Sequence, residues 1–220
     1  NSISFLFEGS CQWFIFGLDL TYSTMKKIVL AGMIALASVS CKKEKITTQP
    51  QPPVTNPVMQ YLDLGNRAIP FGQHSIVDVN QDGQDDLLFS SMLVGDPIHQ
   101  LDRRMYFVSS STQTKLLQNN DNQSPVLNKN DQVMLLHPGY QWLEVTSLLL
   151  AEKVVPVQGN SFWRGLWQEA NHQYLPIQVH RTNQTFQGWV ELSFDKTQER
   201  MILHKAALST EPDKTVRAGI

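Results

Sequence analysis

The feature that most constrains the fold is a succession of short apolar segments, separated by polar turns, in a chain of 220 residues. The segments are rich in branched and aromatic residues, which favour strands because such side chains pack well on a pleated surface. They lie at residues 60–64, 68–79, 86–94, 105–109, 132–137, 141–149, 173–180, 185–194 and 200–204. Many short strands at this spacing predict a mainly β fold, with a single antiparallel β-sandwich-like domain at residues 60–220.

Two segments also have helical features. Residues 146–154 could form a helix instead of a strand, and residues 164–170 could add a helical turn.

Within residues 187–195, the period-two pattern predicts opposite faces for two sets of side chains. One set is Trp189, Glu191 and Ser193, and the other is Val190, Leu192 and Phe194.

The stretch DVNQDGQDD, residues 78–86, carries oxygen-bearing side chains at alternate positions. Calcium takes six to eight oxygen ligands, and a short loop can supply them from alternate residues. Gly83 stands where such a loop turns sharply and a Cβ is unfavourable. The predicted calcium ligands are the side chains of Asp78, Asn80, Asp82 and Asp86 and the main-chain carbonyl of Gln84.

A calcium EF-hand is disfavoured, because it requires a bidentate Glu at the twelfth loop position and a helix on each side. The twelfth position here is Phe89, and the flanking residues favour strands. The run from Asp78 to Leu87 instead resembles the calcium loops of the FG-GAP and VCBS repeat families. This resemblance implies a strand–calcium loop–strand unit. The alternative is a turn without metal, since Asn, Asp and Gly dominate turns.

The same families usually build propellers from many copies of the unit, whereas this chain has one copy. A propeller needs at least four blades of four strands each. The oxygen-rich runs at 119–122 and 128–131 lack the glycine and the spacing, and we interpret them as polar loops. A propeller is therefore excluded.

Residues 25–40 have the pattern of a secretory signal peptide, with two lysines before an uncharged run that is too short to span a bilayer. Residues 38–41, Ser-Val-Ser-Cys, resemble a bacterial lipoprotein cleavage box in the relaxed form of Bacteroidetes-type lipoproteins. The resemblance implies that Cys41 is lipidated and anchors the protein to a membrane of the bacterial cell envelope. The alternative is an ordinary signal peptide followed by a coincidental cysteine.

The segments on either side of the signal peptide are not expected to belong to the domain. Residues 1–24 precede Met25, where the signal peptide would begin, and we interpret them as an upstream, non-native extension. The alternative is a genuine hydrophobic extension around residues 5–20, interrupted by Glu8 and Asp19. Residues 41–59 are rich in Pro, Gln and Thr, a composition that predicts a flexible, disordered tether. The two cysteines, Cys11 and Cys41, leave the domain without a pair, so calcium would take the stabilising role of a disulfide.

The C-terminal third has a resemblance of its own. Residues 174–180, 186–192, 200–207 and 217–219 are similar to a pattern in secreted bacterial proteins of unassigned function. This pattern implies a β-sandwich and no particular activity. It departs from the commoner form at residues 186–188, Phe-Gln-Gly, and at residues 206–207, Ala-Ala.

No catalytic residues are predicted from motifs. The six histidines are scattered without zinc spacing, and there is no Gly-x-Ser-x-Gly elbow or phosphate loop. Glu169, Glu191 and Asp195 could serve glycoside hydrolysis only if two of them faced each other across a cleft. Asp195 is better explained as a turn residue.

The sequence therefore favours a non-enzymatic binding or envelope-interaction module over the alternative, a carbohydrate-active enzyme on a β-sandwich. Trp163 and Trp167 are candidate sugar-stacking residues, although filling the core is the favoured interpretation. The partners would be a glycan or an envelope protein. Nucleic acid is not predicted, because 18 basic residues are balanced by 20 acidic ones.

Overall fold

The computed structural model describes residues 56–220. The predicted extension at 1–24, the signal peptide at 25–40, Cys41 and the tether as far as residue 55 lie outside the described residues. Residues 56–220 contain no helix that could cross a membrane.

All regular structure in the described part of the chain is β-strand. The strands are β1 (Met59–Pro70), β2 (Ser75–Val77), β3 (Leu87–Asp96), β4 (Leu101–Ser110), β5 (Thr114–Gln118), β6 (Gln132–Val133), β7 (Gln141–Glu144), β8 (Ser147–Pro156), β9 (Phe162–Arg164), β10 (Gln173–Arg181), β11 (Gln184–Asp195), β12 (Arg200–Ser209) and β13 (Val216–Arg217).

Two antiparallel sheets contain eleven of these strands. The six-stranded sheet has the order β1-β12-β11-β10-β5-β7, and the five-stranded sheet has the order β2-β3-β4-β8-β9. Strands β6 and β13 form a separate two-stranded ribbon. The prediction of a mainly β, antiparallel, sandwich-like fold is confirmed.

The main core lies between the two sheets because each sheet contributes its apolar face. Phe89 and Tyr106 of the five-stranded sheet belong to the same buried cluster as Leu175 of the six-stranded sheet. The predicted alternation along β11 is also confirmed, since Val190, Leu192 and Phe194 lie in this cluster whereas Trp189 lies in another.

A second, smaller core covers part of the outer face of the six-stranded sheet. Trp189 is its centre, and the ring of Tyr174 packs edge-on against it with centroids 5.1 Å apart. Val133 of β6 and Val216 of β13 close this cluster from the solvent side. Strand β11 is therefore buried on both faces along this stretch, which no single amphipathic alternation would predict.

The helical alternatives are wrong. Residues 147–156 form β8, a central strand of the five-stranded sheet, because its apolar side chains Leu148 and Leu150 complete the main core. Residues 165–170 form turns held by hydrogen bonds from Gln168 N–H to the carbonyl of Gly165 and from Ala170 N–H to the carbonyl of Trp167. Tertiary packing thus overrides the local helical preference.

Several strand bounds also differ from the predictions. The predicted strand at 141–149 is two strands in different sheets, and the chain crosses between them at Val145, which has a φ of 50°. Segment 132–137 is reduced to β6, and segment 68–79 is divided between the end of β1 and β2. Strands β5, β9 and β13 were not predicted.

Candidate functional site

The predicted calcium loop, residues 78–86, connects β2 to β3, which pair as neighbouring antiparallel strands. The expected strand–loop–strand arrangement is therefore present. Gly83 has a φ of 87°, in the left-handed region that favours glycine. Gln81 also adopts a positive φ, of 58°, so the chain makes a tight turn between Asn80 and Gln84.

Hydrogen bonds inside the loop orient its oxygen atoms. The Asp78 carboxylate accepts from Gly83 N–H at 2.8 Å and from Asp82 N–H at 3.3 Å. Asn80 Oδ1 accepts from the same Asp82 N–H at 2.9 Å, so oxygens of Asp78 and Asn80 lie close together. Asp82 Oδ1 accepts from Gln84 N–H at 2.9 Å. The loop is thus folded around its own carboxylate and amide oxygens.

Asp86 is placed differently from the other predicted ligands because it points inward and is buried. Its Oδ2 accepts from Val79 N–H at 2.8 Å and from Asn80 N–H at 3.3 Å, and its Oδ1 accepts from Thr114 Oγ1 at 2.5 Å. Burial raises the pKa of this carboxyl, the three hydrogen bonds oppose the rise, and repulsion from Asp78 adds to it. Asp86 therefore fixes the main chain at the start of the loop through its hydrogen bonds to Val79 and Asn80.

The loop carries negative charge that no ion pair neutralises. Within residues 56–220, none of the Lys, Arg and His ion pairs involves a loop aspartate. Arg181 contacts the main chain of the loop, because its Nη2 donates to the carbonyl of Asn80 at 3.4 Å. Among the described residues, no three His, Cys, Asp or Glu side chains converge as a metal cluster. Calcium binding by this loop would therefore also require the amide oxygen of Asn80 and the carbonyl of Gln84, which are hard oxygen donors.

The two candidate stacking tryptophans have different positions. Trp167 is buried in the main core, with an exposed fraction of 1%, and its Nε1 donates to the carbonyl of Ser124 at 3.3 Å. Its interpretation as a sugar platform is wrong, because neither ring face reaches the solvent. Trp163 is partly buried and packs against Tyr106 and Phe194, with ring centroids 5.9 and 5.1 Å away.

The three carboxylates considered for glycoside hydrolysis are each bound to another group. Glu169 pairs with Lys196, and Glu191 Oε1 lies 2.7 Å from His172 Nδ1. Asp195 Oδ1 accepts N–H groups of the turn at 197–198, as expected of a turn residue, and its Oδ2 pairs with Arg200 at 3.3 Å. This arrangement does not favour the acid and base pair of a glycosidase.

An unpredicted cluster lies on the outer face of the six-stranded sheet. Ser193 Oγ is 2.8 Å from His204 Nε2, and His204 Nδ1 is 2.7 Å from Asn66 Oδ1. The imidazole of His172 stacks on that of His204, with centroids 4.0 Å apart and planes at 22°. A groove of about 510 Å³ opens above Ser193, His172 and His204.

Irregular strand pairing brings this cluster together. The pairing of β12 with β11 passes from Lys205 directly to Leu203, so His204 is an extra residue in β12. The pairing of β12 with β1 skips residues 64–66 at the same level. Such bulges re-aim side chains and are frequent beside active sites. The only sequence signal was Gly65-Asn66, two residue types that tolerate the left-handed conformation found here.

No family model, no curated protein and no solved structure matches this chain. The resemblance to the FG-GAP and VCBS calcium loops therefore depends on residues 78–87 alone.

Proposed function

We propose that this chain is a lipid-anchored protein of a bacterial cell envelope whose β-sandwich binds one calcium ion in the loop at residues 78–86. Asp78, Asn80 and Asp82 would hold the ion with side-chain oxygens, and Gln84 with its carbonyl. Asp86 contributes charge and fixes the main chain of the loop. The anchored domain then serves as a binding module for an envelope glycan or protein.

The observation that carries the calcium proposal is the loop's geometry together with its unbalanced charge. Oxygens of Asp78 and Asn80 meet at the Asp82 N–H, and the carboxylates of Asp78 and Asp86 repel each other. A hard divalent cation relieves such repulsion and matches oxygen donors. The ion stabilises the fold because it binds the native loop and not the unfolded chain.

Calorimetry with calcium on the wild type and on Asp82→Ala tests the ligand set. The wild type is expected to release or absorb heat with one ion per chain, and Asp82→Ala to give none. Asp85→Ala is the matched control, because Asp85 is an exposed aspartate of the same loop outside the ligand set. Equal titrations of the wild type and Asp82→Ala would end the proposal.

Calcium is also expected to raise the thermal stability. At free calcium about 100 times its dissociation constant, the stabilisation is about 2.7 kcal/mol. For a domain of this size, that raises Tm by roughly 5–10 °C. An unchanged Tm after addition of EDTA would show that calcium has no structural role.

The anchor is tested separately by expression of the full chain in a bacterium that processes lipoproteins. Mass spectrometry of the mature protein is expected to find an acylated N-terminal Cys41. Cys41→Ser is expected to leave the membrane fraction. A mature N-terminus elsewhere, or an unmodified cysteine, would contradict the anchor without affecting the calcium site.

The binding role is tested with a glycan array and with cross-linking in envelope fractions. Trp163→Ala is the informative variant, because Trp163 is only partly buried, whereas Trp167→Ala would open a cavity in the core. Binding that survives Trp163→Ala unchanged would exclude that ring from the interaction.

A further inference from the structure

The groove on the outer face of the six-stranded sheet contains a hydrogen-bonded chain of three side chains. It runs from Ser193 on β11 through His204 on β12 to Asn66 on β1, over distances of 2.8 and 2.7 Å. The three residues come from three adjacent strands, and Asn66 lies 138 residues before His204 in the sequence. No local sequence pattern therefore marks the serine.

The hydrogen-bond partners determine which nitrogen of His204 carries the proton. Asn66 Oδ1 can only accept, so Nδ1 of His204 must donate to it. His204 Nε2 is then an acceptor, and the hydroxyl of Ser193 donates to it. Ser193 Oγ also accepts from the main-chain N–H of His172 at 2.8 Å, which directs its own proton towards His204. This is the tautomer that a serine nucleophile requires.

Neighbouring groups keep His204 in the neutral, basic form. Burial lowers the pKa of His204, the stacked His172 lowers it further, and Glu191 partly opposes them. Glu191 Oε1 lies 2.7 Å from Nδ1 of the other ring, His172. The two stacked imidazoles thus have different partners, because His204 contacts Ser193 and Asn66.

We propose that Ser193, His204 and Asn66 form a nucleophilic hydrolytic site that cleaves an acyl ester bound in the groove above them. The proposal goes beyond the binding role proposed above and depends on neither the calcium loop nor the lipid anchor. Asn66 is a positioning residue, and Ser193 and His204 are the catalytic residues.

The reaction begins with attack of Ser193 Oγ on the ester carbonyl carbon while its proton moves to His204 Nε2. The carbon–oxygen bond to the alcohol then breaks, and the leaving alkoxide takes the proton from His204. Water attacks the acyl-serine, gives a proton to His204, and the serine oxygen leaves with that proton. The products are a carboxylic acid and an alcohol, formed from one ester and one water.

The lining of the groove indicates the class of substrate. Ile202 provides apolar surface for an acyl group, and the polar residues Asn171 and Thr197 line the same groove. The two carboxylates that line the groove are paired, Glu169 with Lys196 and Asp195 with Arg200, so the lining favours neither an anionic nor a cationic substrate. A neutral ester with a short acyl group fits this arrangement.

The first test uses the folded wild-type chain and a fluorophosphonate, which phosphonylates activated serines. Digestion and mass spectrometry are expected to locate the adduct on Ser193. Ser109, a partly buried serine bonded to Ser147, is the internal control and should stay unmodified. A folded chain without an adduct on Ser193 overturns the proposal, and this test requires no variant.

The second test follows hydrolysis of p-nitrophenyl acetate. Ser193→Ala and His204→Ala are each expected to lower kcat/KM about 100-fold or more, whereas Ser109→Ala should leave it unchanged. Circular dichroism establishes that each variant is folded. If Ser193→Ala does not fold, Ser193→Cys replaces it, because cysteine and serine have nearly the same volume. Labelling by the fluorophosphonate is expected to be lost in Ser193→Cys. Unchanged hydrolysis in a folded Ser193→Ala overturns the proposal.

Asn66→Asp separates positioning from a purely structural role. A carboxylate stabilises the imidazolium that forms during attack better than an amide does, so kcat is expected to rise about 10-fold. Asn66→Ala is expected to lower kcat with little change in KM. Equal kcat in wild type, Asn66→Asp and Asn66→Ala would remove Asn66 from the site. Calcium removal and Cys41→Ser should affect none of these comparisons while the domain remains folded.

Discussion

The hydroxyl of Thr114 donates a hydrogen bond of 2.5 Å to Oδ1 of Asp86, and both side chains are buried. Thr114 begins β5 in the six-stranded sheet, whereas Asp86 ends the loop that leads into β3 of the five-stranded sheet. One hydrogen bond therefore connects the proposed calcium loop to the opposite sheet. A change at Thr114 should reach the loop although the residue lies outside it.

Thr114→Val tests this connection. Valine has a similar shape but cannot donate, so Asp86 Oδ1 is left buried without a partner, at a cost of about 1–3 kcal/mol. Chemical denaturation measures the loss, and calcium affinity is expected to fall with it because the loop is less well fixed. Thr112→Val is the control, since Thr112 is exposed. Equal stability of the two variants would contradict the connection.

The effect of calcium on stability should depend on pH in a defined direction. Burial raises the pKa of Asp86, so without calcium its ionised form costs stability, and this cost disappears as the pH falls through the raised pKa. Calcium binding requires ionised carboxylates. The rise in Tm that calcium causes should therefore become smaller as the pH is lowered from about 7 to about 4.5. The measurement is Tm with calcium minus Tm with EDTA. An increment that does not change with pH would contradict the involvement of carboxylates.

Glu152 is predicted to stabilise the five-stranded sheet through two arginines. Arg103 Nε lies 2.6 Å from Glu152, Arg164 also donates to it, and the carboxylate is buried. Burial alone would raise the pKa of Glu152, but the two hydrogen bonds outweigh it and the pKa is lowered. Its stabilising contribution is therefore complete above the unfolded value of about 4.3 and is lost as the pH falls through the lower folded pKa.

Glu152→Gln is expected to cost about 3 kcal/mol at neutral pH, the lower end for a broken buried pair, because the exposed Arg164 and the partly exposed Arg103 can be rehydrated. The difference in unfolding free energy from the wild type should narrow below about pH 4. Glu144→Gln, at an exposed residue of β7, is the control and should be close to neutral. A difference that persists unchanged in acid would show that the charge of Glu152 is not responsible.

Gly188 is predicted to be intolerant of any side chain. A Cβ there would lie 2.4 Å from the carbonyl oxygen of Ala207 on the neighbouring strand β12. Main-chain atoms of paired strands cannot move apart without loss of hydrogen bonds, so Gly188→Ala is expected to cost about 3 kcal/mol. At Gly95, a Cβ would make only an ordinary contact of 3.5 Å with Asp102. Gly95→Ala should therefore unfold at nearly the wild-type denaturant concentration, and equal losses in both variants would contradict this explanation.

Much of the fold could be predicted because strand-forming residues and turns alternate along the chain. The faces of β11 followed from its period of two, as Val190 and Trp189 occupy different cores. The loop at 78–86 was found between two strands because its residue types already specify a turn. These features are local, and each depends on neighbouring residues only.

The tertiary structure decided which residues of β12 face the core, because the alternation of apolar and polar residues does not show where the strand has a bulge. On β12, Met201 and Leu203 face the main core before the bulge, whereas Ala206 and Leu208 face it after the bulge. A shift of one residue exchanges the two faces of a strand, and nothing local marks where it occurs. The outward positions of both His204 and Lys205 follow from this shift.

The sequence by itself determined the strand-rich composition, the turn-forming acidic loop and the pattern that indicates export. Only the tertiary structure decided that Trp167 is buried, that Thr114 reaches Asp86, and which side chains surround Ser193. The physical reason is the range of the interactions. Propensity, turn chemistry and ligand spacing act between neighbours, whereas burial and the meeting of Asn66 with His204 depend on strand pairing across 138 residues of chain.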